Sequence, residues 1–225
     1  MGYHFYLYHD VIERNRSAQL DTGVRHRQLI VVHGLIHVNL QTIGVEHGVY
    51  CSGGGEIAAG PEGAWVWRCE IVPDGAPESL FSGEAVFSQV KMQKAIKSVD
   101  PRPGEKWLFR SDTITMFPGA VIARHVHDGP GVRCLKFGEF RIESNETTAT
   151  YRPGEPWYES GPDDPVIARA SATQPTGFVR LMLLPPQWIG RNSVKFVDEN
   201  TGAAVLERGT YRSGRRVYND TIIEM

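Results

Sequence analysis

Cysteine, long apolar runs and an excess of charge of either sign are all scarce in this sequence. The 225 residues include three cysteines, Cys51, Cys69 and Cys134, an odd number whose spacing fits no zinc motif. We therefore expect reduced thiols rather than a disulfide framework. The formal net charge is −2, and no run of Lys or Arg occurs, so neither nucleic acid nor a membrane surface is an expected partner.

The absence of long apolar runs also bears on where the protein is expected to be found. The first sixteen residues, MGYHFYLYHDVIERNR, lack the apolar stretch of a signal peptide. No segment approaches the length that a membrane-spanning helix needs. We therefore expect a cytoplasmic protein with no membrane association.

Turn-forming residues are abundant, with 24 glycines and 14 prolines, and long helix-periodic segments are few. One short helix is predicted over His9–Leu20. Between 112 and 186, eight short extended runs alternate with turn signals such as PG, DGPG and SGPDDP, which is typical of a sandwich or barrel. The prediction is an all-β protein with a β-rich region at 1–109, a barrel at 110–186 and an extension at 187–225. That extension carries weaker β signals, among them AAVLE at 203–207, and is expected to pack outside the barrel.

Two histidines in the barrel region form a candidate metal site. In the run HVH, His125 and His127 lie two residues apart, so on a strand both rings project from the same face and can reach one ion. Neutral imidazole is a common ligand for divalent transition metals.

The surroundings of this pair resemble the first motif of the cupin superfamily. That motif runs Gly, five residues, HxH, three or four residues, Glu, six residues, Gly. Here Gly119 stands five residues before His125, and Gly138 follows position 131 after six residues. The spacing agrees throughout, but the position of the family's ligand Glu is Gly131.

The second cupin motif is degenerate in this sequence. Counting from Gly154 leaves no histidine at the expected third-ligand position, and no histidine occurs after His127. Three runs nevertheless resemble a subgroup of cupin-domain proteins: HVHDGPGVR at 125–133, PGEPWYE at 153–159 and FVRLMLLP at 178–185. The resemblance implies a jelly-roll β-barrel and, by analogy with other cupins, a homodimer. The N-terminal half is then either a degenerate second cupin, which we favour, or a set of extra strands.

Other residues are candidates to complete the site. Glu159 is the best remaining carboxylate and is expected to act as third metal ligand or as general base. By alternation, Arg133 points into the barrel, where it either pairs with Glu159 or binds a substrate carboxylate. Arg180 is a second inward cation, and one of Trp157 and Tyr158 is expected to line the cavity, Trp157 as a substrate contact or Tyr158 as a proton donor or acceptor.

Three hypotheses for function follow from these features. The first is a metal-dependent enzyme of dioxygenase type acting on a small carbonyl- or carboxylate-containing molecule, with iron as the favoured metal and Mn, Ni, Zn or Cu as alternatives. The second is a metal-dependent lyase or isomerase. The third is a non-catalytic barrel that binds a small molecule, which the missing motif Glu and third histidine favour.

Overall fold

The computed structural model describes residues 2–23, 25–145, 147–198 and 218–225. The chain divides into two compact units, Met1–Ile96 and Lys97–Met225. The described residues form seventeen strands and one 3-10 turn, and they include no α-helix, so the predicted all-β class is confirmed. No helix in these ranges is long and apolar enough to cross a membrane.

The first unit is a single antiparallel sheet of seven strands, in the order β4–β3–β6–β1–β7, with β2 added to β6 and β5 added to β3. Its strands are β1 Tyr3–Ile12, β2 Ser17–Leu20, β3 His26–Val38, β4 Gln41–Gly44, β5 Gly48–Ser52, β6 Gly55–Pro73 and β7 Val86–Ile96. Two irregularities in the β3–β6 register, at Val31/His33 and Gly34/Ile36, bend the long strands.

The helix predicted over His9–Leu20 is wrong. This segment instead forms the end of β1, a turn and the strand β2. The reason is tertiary: β1 pairs with β6 along one edge and with β7 along the other, which overrides the local helical pattern.

Buried charged side chains form a network inside the first unit. Asp10, Arg27, Arg68 and Glu70 are each fully buried. Arg68 Nε lies 2.6 Å from Asp10 Oδ2, and Arg27 Nε lies 2.8 Å from Glu70 Oε1, which also accepts from Arg68. The Arg68 guanidinium stacks over the ring of Tyr8 at 3.9 Å. Each charge in this network therefore has an opposite partner.

The second unit contains two five-stranded antiparallel sheets, with orders β13–β10–β15–β8–β17 and β12–β11–β14–β9–β16. Its strands are β8 Lys106–Met116, β9 Val121–His127, β10 Gly131–Phe137, β11 Phe140–Glu143, β12 Thr148–Tyr151, β13 Pro156–Glu159, β14 Val166–Ala170, β15 Thr176–Leu184, β16 Val194–Phe196 and β17 Asn219–Glu224. Apart from β11 and β12, which pair with each other, successive strands alternate between the two sheets in the manner of a jelly roll. Eight of them, β8–β15, cover the region where eight runs were predicted.

The boundaries of the units differ from those expected. The division falls at Ile96/Lys97 rather than at 109/110, because β8 starts at Lys106 and continues through that position. In the C-terminal region, β16 pairs with β9 and β17 pairs with β8, so both are edge strands of the barrel sheets. The predicted β segment at 203–207 lies outside the described residues.

Aromatic packing fills the interior of the second unit. The Phe140 ring stacks on Phe178 at 4.8 Å, and Trp157 contacts both rings at 5.4 and 5.3 Å. Trp157 is 2% exposed and belongs to the same apolar cluster as Ile114 and Ile122. Members of this cluster, including Ile114, Ile122, Phe140 and Phe178, border the same small cavity as the two histidines, and close packing limits side-chain movement there.

Candidate metal centre

The two histidines of β9 lie side by side in the barrel interior, as the spacing predicts. His125 and His127 are each 3% exposed, and their rings are 5.4 Å apart and perpendicular. Neighbouring strands hold β9 on both edges, with Val166 of β14 opposite His125 and Val194 of β16 opposite His127. The pair is therefore fixed by two ladders of backbone hydrogen bonds.

Hydrogen bonds at Nδ1 orient both imidazoles. The Nδ1–H of His125 donates to the Ala123 carbonyl oxygen at 2.8 Å, and Nδ1 of His127 lies 3.0 Å from Ser193 Oγ. The opposite ring nitrogen, Nε2, is thus the one available as a ligand, an arrangement that recurs at metal sites. Burial lowers the pKa of His125 and lowers that of His127 well below its usual value, with the charges of Arg180 and Arg133 adding to the effect on His127. Both rings are neutral at pH 7, the form that binds metal.

Glu159 of β13 supplies a carboxylate next to the histidines. Its Oε2 atom lies 3.9 Å from His127 Nε2, and its Oε1 atom accepts a hydrogen bond from Trp157 Nε1 at 2.9 Å. One ligand atom from each of His125, His127 and Glu159 lies within 4.8 Å of the other two. These three buried residues could therefore hold a metal ion.

The position of Glu159 accounts for the glycine at 131, where the cupin motif has its ligand Glu. Gly131 of β10 is directly opposite Glu159 of β13 in the strand register. A Cβ atom at position 131 would lie 2.5 Å from the Leu181 carbonyl oxygen and 2.7 Å from a side-chain carbon of Met182, so any side chain there would require β15 to shift. The carboxylate is instead presented by the neighbouring strand, across the ladder from the motif position.

Two buried arginines lie beside these three residues in one cross-strand row. Arg133 of β10 is opposite Arg180 of β15, which is opposite Asp112 of β8. Arg180 binds Asp112 through both Nε (2.9 Å) and Nη2 (2.6 Å). Arg133 Nη2 binds Glu159 Oε2 at 2.8 Å, so the ion pair expected between these residues is present.

The pairing of Arg133 is incomplete. Its Nη1 donates to the Gly131 carbonyl, whereas its Nε has no hydrogen-bond partner among the described residues, although the side chain is 1% exposed. Such a buried donor is costly without an acceptor. Arg133, Arg180 and the three ligand candidates line one small cavity of about 10 Å³, measured as the space open to the centre of a water molecule. That is room for about one water molecule or one metal ion.

The structure separates the two aromatic candidates. Trp157 shares a face of β13 with Glu159, and its indole holds the carboxylate in place. Tyr158 projects from the opposite face, where it is half-buried, and burial raises the pKa of its hydroxyl. The structure therefore does not place Tyr158 on the face of β13 that carries Glu159, and its expected role in proton transfer stays a prediction.

Two site residues were missed by sequence reasoning. Ser193, fully buried, is 66 positions from the histidine that it contacts, and nothing in its local sequence indicates that contact. Asp112 carried a usable signal, because it is a charged residue at the start of the apolar run TITMF and would need a buried partner. Its partner proves to be Arg180.

No protein-family model matches the sequence, and no curated protein matches it either. Solved structures do resemble it. The 11S allergen from Cocos nucifera superposes with a TM-score of 0.58 at 11% identity, covering 93% of this chain and 88% of that chain. An IolB-like protein from Salmonella typhimurium gives 0.55 at 10% identity, covering 89% and 90%. An oxalate decarboxylase variant from Bacillus subtilis gives 0.53 at 12% identity, covering 96% and 79%.

These similarities define the fold. The chain has the cupin jelly-roll fold, so the resemblance found in the sequence is confirmed at that level. The similar structures include a decarboxylase and an allergen, so the fold by itself does not determine what this protein does. Function has to be argued from the cavity.

Proposed function

We propose that the second unit is a metal-dependent enzyme that acts on a small molecule containing a carbonyl or carboxylate group. The observation that carries this proposal is the buried group of His125, His127 and Glu159, whose ligand atoms lie within 4.8 Å of one another. Two histidines and one carboxylate form the set of ligands used by non-haem iron oxygenases, so iron is the favoured metal and dioxygenase-type chemistry the favoured class. Bound iron would supply open coordination positions for oxygen and substrate.

The residues in and around the cavity have distinct roles in this proposal. Arg133 provides positive charge for a substrate oxygen, since it lines the cavity and has one donor unused. Trp157 fixes one oxygen of Glu159 and leaves the other facing His127. Arg180, held at both ends of its fork by Asp112, contributes charge close to His127. Mn, Ni, Zn or Cu at the same ligands would suit the alternative lyase or isomerase chemistry, with Glu159 moving the proton.

One observation favours the non-catalytic alternative. Arg133 and Glu159 pair at 2.8 Å, and the space left beside them is about 10 Å³. A barrel whose interior is closed by this ion pair would bind a small ion or molecule without transforming it.

The homodimer inferred from the cupin resemblance also stays a prediction, which analytical ultracentrifugation tests directly.

Metal-dependent oxygen uptake separates these functions. The protein loaded with Fe²⁺ is mixed with a panel of small 2-oxo acids, hydroxy acids and 1,3-dicarbonyl compounds, and dissolved oxygen is followed. Protein loaded with Zn²⁺, which undergoes no redox change, is the matched control. Oxygen consumption by the Fe²⁺-loaded protein, but not by the Zn²⁺-loaded protein, supports the dioxygenase. Turnover without oxygen consumption supports the lyase or isomerase, and metal binding without any turnover across the panel supports the non-catalytic barrel.

A further inference from the structure

The Nε and Nη2 donors on one edge of the guanidinium are both hydrogen-bonded in Arg180, but only Nη2 is hydrogen-bonded in Arg133. In Arg180, the Nε–H and Nη2–H donors both point to Asp112, one to each carboxylate oxygen. In Arg133, Nη2 donates to Glu159 Oε2 while Nε has no partner among the described residues. This edge can bind a carboxylate in bidentate fashion, as it does in Arg180. Arg133 thus has half of a carboxylate-binding fork unused in a buried site.

The oxygen that occupies the other half of the fork is also the one nearest the histidines. Glu159 Oε2 lies 2.8 Å from Arg133 Nη2 and 3.9 Å from His127 Nε2. The second oxygen, Oε1, is engaged by the Trp157 indole at 2.9 Å. A metal ion held by Glu159 and the histidines would therefore compete with Arg133 for Oε2.

The charges around the cavity indicate what metal binding would require. Arg133 and Arg180 carry two positive charges, and Asp112 and Glu159 carry two negative charges, so these four buried groups balance. A divalent ion adds two positive charges close to the guanidinium of Arg133. In a buried site such like charges repel strongly, and an anion on Arg133 would reduce the repulsion.

We propose that a divalent metal ion and a small carboxylate-type anion bind this cavity cooperatively, with Glu159 shared between the metal and Arg133. Metal binding draws Glu159 Oε2 away from Arg133 and frees the Nε/Nη2 edge, which then binds the anion in bidentate fashion. The anion, in turn, offsets the charge of the metal. This inference rests on the proposed metal centre and assigns its substrate class as small oxyanions of the carboxylate type.

The size of the cavity restricts the anion further. The space of about 10 Å³ holds one water-sized group, so a metal ion together with an anion requires nearby side chains to shift; its apolar walls include Ile114, Ile122 and Phe178. An aromatic or long-chain acid would require these packed side chains to move, which close packing opposes. The flexible side chain of Met182, whose Sδ lies 3.8 Å from Arg133 Nη2, can adjust for a small ligand. Formate is therefore a suitable probe, with benzoate as the matched control for size.

Calorimetric titration with Zn²⁺ and formate tests the coupling. We expect formate to bind the Zn²⁺-loaded protein at least tenfold more tightly than the metal-free protein, and benzoate to bind neither form measurably. Because linkage is reciprocal, saturating formate must tighten Zn²⁺ binding by the same factor. Equal formate affinity with and without Zn²⁺, within twofold, would overturn the proposal.

Variants show whether Arg133 carries the effect. Arg133→Lys keeps the charge but loses the fork, and we expect it to abolish the tenfold enhancement in the Zn²⁺-loaded protein. Arg110→Lys is the matched control; Arg110 is a buried arginine of the same unit that is not among the residues lining the cavity, and its Nε and Nη2 both bind Asp220, so formate affinity should change less than threefold. An enhancement retained in Arg133→Lys would mean that formate binds the metal alone, contrary to the proposal.

A further variant tests the shared carboxylate without any metal. Glu159→Gln removes the charge that occupies Arg133, so metal-free Glu159→Gln should bind formate at least tenfold more tightly than the metal-free wild type. Unchanged affinity in a folded variant, as judged by circular dichroism, would contradict the role given to Glu159. If wild-type protein takes up no Zn²⁺, the proposed metal function fails whatever this variant shows. If Zn²⁺ binds without coupling, the cooperative inference alone fails.

Discussion

Each unit of this protein buries arginines against carboxylates, but the two clusters are completed to different degrees. In the first unit, Arg68 and Arg27 pair with Asp10 and Glu70. In the second, Arg180 pairs fully with Asp112, whereas Arg133 shares Glu159 with a histidine pair and retains an unpartnered Nε. Among the described residues, the only other buried side-chain nitrogen or oxygen without a hydrogen-bond partner is Thr113 Oγ1, also in the second unit.

This difference distinguishes a structural cluster from a binding site made of similar residues. Among the described residues of the first unit, no buried side-chain nitrogen or oxygen lacks a hydrogen-bond partner, so we assign its network a role in the fold. The second cluster has a small cavity, neutral imidazoles and a free guanidinium donor, which together are costly unless something binds. Incomplete pairing in a buried cluster is therefore the feature that points to function here.

The largest expected effect tests the structural role of the first cluster. Arg68→Met leaves Asp10 and Glu70 buried with less compensating charge, and removing one partner of a buried ion pair costs about 3–5 kcal/mol of unfolding free energy. Arg133→Met is the matched variant and should cost about 1–3 kcal/mol, because Arg133 is only partly paired. Urea denaturation measures both. Equal losses of unfolding free energy would contradict the distinction between the fully paired cluster of the first unit and the partly paired cluster of the second.

The second prediction concerns the glycine at the motif position. Gly131→Ala should lower the unfolding free energy by about 1–3 kcal/mol, because its Cβ would lie 2.5 Å from the Leu181 carbonyl oxygen. Thermal denaturation measures the loss, and Gly44→Ala, which meets no atom within 4 Å, is the control for a change from glycine. A Gly131→Glu variant that folds normally and binds metal more tightly would contradict the account of the displaced carboxylate.

The third prediction concerns Ser193, which orients His127 through Nδ1. Removing such an outer hydrogen bond commonly weakens metal binding by about 10–100-fold. We expect Ser193→Ala to lower Zn²⁺ affinity within that range with little change in melting temperature. Ser79→Ala, at a buried serine of the first unit, should leave Zn²⁺ affinity unchanged. A lower melting temperature with unchanged Zn²⁺ affinity would mean that Ser193 contributes to packing and not to metal binding.

The smallest effect expected is a difference in acid sensitivity. The pKa values of His125 and His127 are lowered below 6.5 by burial, so the unfolded state binds more protons as the pH falls below about 6.5, and the second unit loses stability there. In the first unit, the pKa of Asp21 is lowered from 3.8 to about 2; burial opposes the shift, but a Ser79 hydrogen bond and Arg27 outweigh it. The stability that Asp21 contributes is therefore lost only between about pH 4 and pH 2.

Hydrogen exchange at pH 7 and pH 5, corrected for intrinsic rates, measures this difference by region. Protection should fall more in β9 and β14 than in β1 and β6. The pKa of His9 in the first unit is also lowered, as are those of His125 and His127. Because His9 is only half-buried, its contribution to the loss of stability at low pH should be smaller. A larger fall in protection between pH 7 and pH 5 in the first unit than in the second would contradict this prediction.

The sequence predicted the barrel and the core of the site because both depend on short-range patterns. Alternation with frequent turn signals indicated the strands, and the spacing of His125 and His127 placed both rings on one face. The same rule, applied from Glu159, would have chosen Trp157 over Tyr158, since residues two apart share a face.

Contacts between distant strands could not be read from local patterns. The Ser193 contact depends on β16 pairing with β9, and the closeness of Leu181 to Gly131 depends on the β10–β15 register. The sequence predicts a helix over 9–20 because the pairing of residues 9–12 with β6 and β7, and of β2 with β6, is not visible locally. Long-range pairing decided each of these features.

The central claim is that His125, His127 and Glu159 hold a divalent metal ion. Elemental analysis of protein purified without chelators, beside a His125→Ala/His127→Ala double variant, tests this claim most directly. We predict near-stoichiometric metal, iron above all, in the wild type and none in the folded double variant. A wild-type protein that contains no metal and takes up none of Fe²⁺, Mn²⁺, Ni²⁺, Cu²⁺ or Zn²⁺ on incubation would contradict it.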